Sequence, residues 1–273
     1  MSDELKKRVF TGVLGGALLL GLIIFGGRVG MAILISILSL GMIFEFTEMT
    51  FTMPDRVEKR YLLWSLTWFV ELVNLLAPQV EFGLLTVTFL CLFIYFLFSA
   101  KRYSEAEFST HFKELAFSVF AVVYLVFLPI YFMKIYELAN GMQWVLVFLL
   151  INWAGDSAAY FVGTKYGRHK LYPLISPKKS VEGGWGGIGA GVGVALISKA
   201  LFFHSMPWGA VFVLPVIVGA AAQLGDFCES FFKRAFFKKD SGSILPGHGG
   251  FLDRFDGVVF SLPVMYACIR VLG

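Results

Sequence analysis

The stretch "GAVFVLPVIVGAAAQLGDFCESFFKR", Gly209 to Arg234, carries no charge as far as Gly225 and then places Asp226, Glu229, Ser230 and Lys233 at i, i+3, i+4 and i+7. An uncharged run close to the roughly 20 residues that cross a bilayer core reads as a membrane-spanning helix. If the helix continues past Gly225, its polar turns present acid, acid, hydroxyl and cation on one face.

Eight further runs read as spans: Val9 to Gly26, Val29 to Phe46, Tyr61 to Ala77, Phe82 to Ala100, Leu115 to Met133, Met142 to Val162, Trp185 to Phe203 and Phe255 to Ile269. The expected fold is therefore all-α, a polytopic integral membrane protein of about nine transmembrane helices, because lipid-exposed backbone must satisfy its own hydrogen bonds. Composition agrees: the chain of 273 residues is 58% hydrophobic and 17% aromatic, with only 15% charged residues and a mean hydropathy of +0.76. Lys6, Lys7 and Arg8 before the first run resemble a signal peptide's start, but no A-x-A cleavage pattern follows, so it is read as a retained span.

Cation placement fixes the expected orientation. With the N-terminus cytoplasmic, only Arg28, Lys134, Lys199 and Arg270 of the 23 cations fall on the outer side, as the positive-inside rule requires. Residues 1–140 then form an N-terminal transmembrane region of about five spans. Residues 141–273 form a catalytic transmembrane region whose inner loops, 163–184 and 231–254, carry mixed polar chemistry. Cys91, Cys228 and Cys268 lack CxxC spacing and read as small buried apolar groups rather than disulfides or a zinc site. His111, His169 and His204 are expected at water interfaces, without a catalytic role.

Topology brings Asp226, Asp253 and Asp256 to one leaflet boundary, with Glu229 beside them and Asp156 about six residues, roughly 9 Å of helix rise, inside the sixth span's inner end. Clustered acids repel, and a divalent cation removes the repulsion; oxygen ligands favour magnesium, with manganese as the alternative. Pairing with Lys233, Arg234 or Arg254 is the structural alternative. Lys233, Arg234, Lys238 and Lys239 can also anchor a helix end at anionic headgroups. Beside a carboxylate-held metal they suit a polyphosphate.

The loop "LISPKKSVEGGWGG", Leu174 to Gly187, adds Ser176, Lys178, Lys179 and Ser180 but lacks the order of a P-loop. Its glycines, with Gly187/Gly191 and Gly189/Gly193 at four-residue spacing, suit close helix packing. His248 reads as a loop histidine bonding a phosphate or backbone rather than as a general base. Glu45 lies near the inner boundary, placed to face the site, and Glu71 within a span, neither with an assigned role.

Ser230 to Asp256, "SFFKRAFFKKDSGSILPGHGGFLDRFD", resembles the signature of the CDP-diacylglycerol synthases, also called phosphatidate cytidylyltransferases. Ser230, Lys233, Arg234, Lys239, Asp240, Gly242, Leu245, Pro246, His248, Gly249, Gly250, Asp253, Arg254 and Asp256 fill its fixed or restricted places. Gly155 to Gly187 is similar to the family's Asp-containing span and S-P-x-K-(S/T) loop. The resemblance implies transfer of CMP from CTP to phosphatidic acid, giving CDP-diacylglycerol and pyrophosphate, at the cytoplasmic face of a bacterial inner membrane. It also implies magnesium and a homodimer. It implies Asp226, Asp253 and Asp256 as metal ligands and Lys179, Ser230, Lys233 and Arg234 as phosphate contacts; Ser176, Lys178, Ser180, Lys239, His248, Gly249, Gly250 and Arg254 complete the expected substrate-binding set.

Three rivals remain at this stage. A CTP-dependent lipid-alcohol kinase would use the same groups. A CDP-alcohol phosphotransferase expects D-G-x-x-A-R, whereas Asp256-Gly257 here continues "VVF". A cation transporter would hold its carboxylates near the midplane between broken helices. The expected partners are CTP, phosphatidic acid and the lipid bilayer, with no nucleic acid polymer.

Overall fold

The computed structural model describes residues 3–245 and 249–272, with side chains from residue 12. His248 and the Pro246 side of its turn lie outside the described residues, as do the side chains of Lys6, Lys7 and Arg8. In chain order the helices are α1 (Asp3–Phe25), α2 (Gly27–Thr50), α3 (Arg56–Leu76), α4 (Glu81–Ser99), α5 (Glu105–Ala121), α6 (Tyr131–Tyr136), α7 (Gly141–Tyr166), α8 (Val181–Leu201), α9 (Trp208–Ala235) and α10 (Leu252–Leu272). A π-helical segment, Val122–Phe127, leads from α5 toward α6.

Among the described residues, seven helical stretches are long and apolar enough to cross a membrane: Gly27–Thr50, Pro78–Arg102, Glu105–Tyr136, Gly141–Tyr166, Val181–Leu201, Trp208–Ala235 and Leu252–Leu272. The other two expected spans fall on α1 and α3. The apolar part of α1, Gly12–Phe25, is shorter, and α3 carries Arg56, Glu58, Lys59, Arg60 and Glu71.

Two differences from the sequence reading matter for the site. The expected loops are shorter, because α7 runs to Tyr166 and α9 to Ala235. What remains of loop 163–184 folds into an antiparallel hairpin of β1 (Lys170–Tyr172) and β2 (Ser176–Ser180), pairing Lys170 with Ser180 and Tyr172 with Ser176. Its turn closes with Ile175 N donating to Tyr172 O at 3.3 Å, around Pro173, whose fixed φ suits such a turn. Secondly, α9 stops in a Schellman arrangement. Lys238 N donates to Lys233 O at 2.8 Å and Phe237 N to Arg234 O at 3.1 Å, with Phe237 at φ 55 in the left-handed conformation usually given to glycine.

Helices α7, α8 and α9 approach closely through small residues, which in lipid replace the hydrophobic effect as the means of packing. A Cβ on Gly187 would lie 2.9 Å from Gly155 O, one on Gly183 would lie 2.7 Å from Ala159 O, and one on Gly191 would lie 2.9 Å from the Pro215 side chain of α9. Gly189 and Gly193 face open space. The Gly183/Gly187/Gly191 row is therefore a packing face, and the Gly189/Gly193 pair is not.

The two ends of the bundle differ. At one end Arg28 pairs with Glu137 at 2.6 Å, Lys134 pairs with Glu81, and Lys199 donates to His204 O at 3.0 Å. At the other, Lys59, 1% exposed, sits 2.6 Å from Glu114 and 2.7 Å from Asp55, while Glu114 Oε1 accepts from Thr52 N and Met53 N. Phe232 stacks near Phe46 and Phe120 at this same end. His111 is buried here rather than at a water interface, its Nε2 2.9 Å from Phe96 O and its ring against Tyr103. All three cysteines are free, but Cys91 is exposed on α4 rather than buried.

Gly187→Ala is expected to lower stability by about 1–3 kcal/mol through overpacking. Gly189→Ala should be neutral or stabilise by up to ~1 kcal/mol through helix propensity. Thermal unfolding in detergent measures both, and equal effects would contradict the assigned packing face.

Candidate active site

The site lies where α9 and α10 meet the hairpin. Because α9 stays helical past Gly225, Asp226, Glu229, Ser230 and Lys233 project from successive turns, as their spacing requires. Glu229 is 1% exposed. Lys233 Nζ lies 2.6 Å from Glu229 Oε2 and 2.7 Å from Asp253 Oδ1. The ammonium thus bridges two acids and ties α9 to the start of α10.

Asp253 has both oxygens occupied. Oδ1 takes Lys233, and Oδ2 accepts from Ser241 N at 3.0 Å and Gly250 N at 3.1 Å. The neighbouring Gly249 has φ 84, which glycine adopts without steric cost, and Leu245 N reaches its carbonyl at 3.0 Å.

Nearer the membrane-spanning part of the same α9 face, Asp226 pairs with Lys179 of β2 and accepts from Ser230 Oγ at 3.3 Å. Lys179 also lies 4.7 Å from the centre of the Phe227 ring, a cation–π contact that steadies the hairpin over α9. Asp256 interacts electrostatically with Asp226, Lys179 and Lys233, and its Oδ1 accepts from Gly257 N at 2.7 Å. Asp156 feels both Lys179 and Asp226 and lines a small pocket between α7, α8 and α9 with Asn152, Pro215 and Gln223. The result is a cluster of five carboxylates, Asp156, Asp226, Glu229, Asp253 and Asp256, with two lysines set among them: Lys179 pairs with Asp226, and Lys233 with Glu229 and Asp253.

The remaining expected residues take different places. Ser180 is buried and caps α8, its Oγ accepting from Gly183 N at 3.2 Å. Ser176 is half-buried and Lys178 exposed on β2, while Arg234, Lys239 and Arg254 are exposed around the site. Gly250 is buried beside Asp253. Glu45, noted near the inner boundary, receives Ser241 Oγ at 2.9 Å; two residues escaped the sequence reading, Ser241 itself and Tyr124, whose hydroxyl donates to Asp256 O at 3.4 Å. Tyr124 sits in the π-helical segment, an irregularity often found at functional sites.

The acids test the expected metal directly. Among the described residues no three His, Cys, Asp or Glu side chains form a ready cage, because lysines neutralise them and Asp253 is committed to protein donors. The pair Asp226 and Asp256 does fit magnesium, which commonly takes one or two carboxylates and completes its shell with water and substrate phosphates.

The sequence matches the cytidylyltransferase family over residues 6–272. It is 33% identical over 279 residues to the phosphatidate cytidylyltransferase of Bacillus subtilis, covering 99% of each chain. It is 40% identical over 184 residues to the enzyme of that name in Staphylococcus epidermidis, covering 67% of this chain and 66% of that one. A Staphylococcus aureus enzyme of the same name is 39% identical over 184 residues, with the same coverage.

Lys233→Met would leave Glu229 and Asp253 facing each other without a cation, at an expected cost of about 3–5 kcal/mol. Adding Glu229→Gln should restore part of that loss in thermal unfolding. A double variant as unstable as the single would refute the bridging role. Cys228→Ala, between the same acids, should change little.

Proposed function

The chain belongs to the cytidylyltransferase family, and we propose that it acts as a phosphatidate cytidylyltransferase, moving CMP from CTP to phosphatidic acid. The observation that carries this reading is the placement of two ion-paired lysines, Lys179 of β2 on Asp226 and Lys233 of α9 between Glu229 and Asp253, with Arg234 exposed beside them. Two polyanions must meet for this reaction, and such an arrangement lowers their mutual repulsion from several sides.

The chemistry needs no protein nucleophile. A phosphate monoester has a second pKa near roughly 6, so phosphatidic acid at neutral pH presents a dianionic phosphate. One of its oxygens attacks the α-phosphorus of CTP, forming the new P–O–P bond. The bond from that phosphorus to the oxygen bridging the β-phosphate breaks, and its electron pair leaves with pyrophosphate. Lys179, Lys233 and Arg234 neutralise phosphate charge and hold the reacting groups in line. Asp226 and Asp256 would hold magnesium, which when bound supplies further charge neutralisation on the phosphoryl oxygens. Asp253 keeps Lys233 aimed.

The cation bias supports a cytoplasmic position for the site end of the bundle. Reporter fusions after Arg60, Arg102, Arg168 and Lys239 should all register as cytoplasmic. A fusion at Lys239 registering on the far side would remove the site from the compartment that holds CTP.

Purified protein given each nucleoside triphosphate with phosphatidic acid and magnesium should consume CTP alone. Label at the α-phosphate should enter the lipid, and label at the γ-phosphate should leave in pyrophosphate; γ-label in the lipid would make the protein a kinase. Chelation should stop turnover, and Asp226→Asn and Asp256→Asn should each lower kcat by about 100-fold or more while the protein stays folded. Full activity in both variants would eliminate these two acids from the reaction.

A further inference from the structure

We propose that Glu45, on α2 and far in sequence from the signature segment, is a positioning residue that sets the 241–252 loop and through it Asp253 and Lys233. This rests on the phosphatidate cytidylyltransferase reading for its kinetic consequence. Its geometry stands by itself. Glu45 is 1% exposed, and its Oε2 accepts from Ser241 Oγ at 2.9 Å and from Leu252 N at 3.0 Å.

Both donors belong to the loop that carries the site. Ser241 donates its hydroxyl to Glu45 and its backbone N to Asp253 Oδ2 at 3.0 Å, so one residue is held between two carboxylates. Leu252 is the first residue of α10. A carboxylate against that N–H group satisfies an orphan donor and meets the positive end of the helix dipole. Glu45 therefore caps α10 from another helix, while Asp253 receives Gly250 N at 3.1 Å one step earlier in the chain.

The loop is shaped to admit this carboxylate. A Cβ on Gly242 or on Gly250 would overlap the Glu45 side chain, so no residue with a side chain fits at either position without displacement. A carboxyl group buried this deeply needs partners for its oxygens; Oε2 has two, Ser241 and Leu252, and these tie both ends of the α9–α10 connection to α2. The chain Glu45, Ser241, Asp253, Lys233 thus transmits the position of the N-terminal helices to the phosphate-binding ammonium. Glu45 touches no reacting atom in this scheme.

The test compares the unaltered chain with Glu45→Ala, Glu45→Gln, Ser241→Ala, the pair Glu45→Ala/Ser241→Ala, and Lys59→Met as a purely structural control. Losing both of these buried hydrogen bonds suggests a fall in kcat of about 10- to 100-fold for Glu45→Ala, with a much smaller change in the KM for CTP. Glu45→Gln keeps an acceptor and should recover most of that kcat. The double variant should fall short of the product of the single losses, because both act through one linkage. Lys59→Met should unfold at lower temperature yet keep its kcat. Limited trypsin digestion should cut Glu45→Ala faster at Lys238 and Lys239 than the unaltered chain. Should the alanine variant fail to fold, Glu45→Asp, which withdraws the carboxylate by one methylene, carries the same expectations.

An unchanged kcat in the folded variant, multiplicative losses in the pair, or an equal fall in the kcat of the Lys59→Met control would each overturn the proposal. If the unaltered chain makes no CDP-diacylglycerol, the activity reading fails. The trypsin comparison then still decides whether Glu45 holds the loop, and equal cleavage rates would overturn that too.

Discussion

The Lys233 ammonium, held 2.6 Å from Glu229 and 2.7 Å from Asp253, is the contact on which the site depends. Within a bilayer, packing alone gives little preference for one helix register over another, since lipid tails are as apolar as the side chains they would replace. A buried ion pair is different. Removing either partner strands a charge, so α9 and α10 have one register in which Lys233 is satisfied on both sides. That register also sets Asp226 and Asp256 near one another and leaves Arg234 at the rim. Glu45 extends the constraint to the N-terminal half through Ser241 and Leu252.

The same groups that hold the fold suit the proposed reaction. A site for a triphosphate and a phosphate monoester needs cations that are rigid and accompanied by acids that prevent their mutual repulsion. Lys179 and Lys233 meet that requirement by being anchored on different elements, the hairpin and α9 itself. Ser230 is the only hydroxyl among Asp226, Glu229 and Lys233 on their face of α9, and it donates to Asp226 at 3.3 Å. With a substrate phosphate already dianionic, activation of such a hydroxyl is unnecessary.

Much of this was legible in the sequence, for definable reasons. Uncharged runs identified the helices because the bilayer imposes a length, and the i, i+3, i+4, i+7 spacing from Asp226 gave the correct face because α9 does continue. The hairpin of β1 and β2 was hidden: "KLYPLISPKKS" shows no alternation of apolar and polar residues, since neither strand packs on a core. The capping role of Ser180 at α8 was hidden because the usual glutamate three residues on is absent; Gly183 stands there instead. His111 was misplaced because its partners, Ser99 and Phe96, come from α4. Glu45 could not be assigned, as its donors lie 196 and 207 residues away. Only tertiary packing joins them.

The central claim is that phosphatidic acid attacks CTP directly in a site that orients and neutralises but forms no bond to either. The stereochemical course at phosphorus reports on this most directly. With CTP carrying a chiral α-thiophosphate, a single in-line displacement gives CDP-diacylglycerol with the configuration at that phosphorus inverted, which is the expected result. Retention would require two successive displacements and a covalent enzyme intermediate, with Ser230 the nearest candidate, and would contradict direct attack.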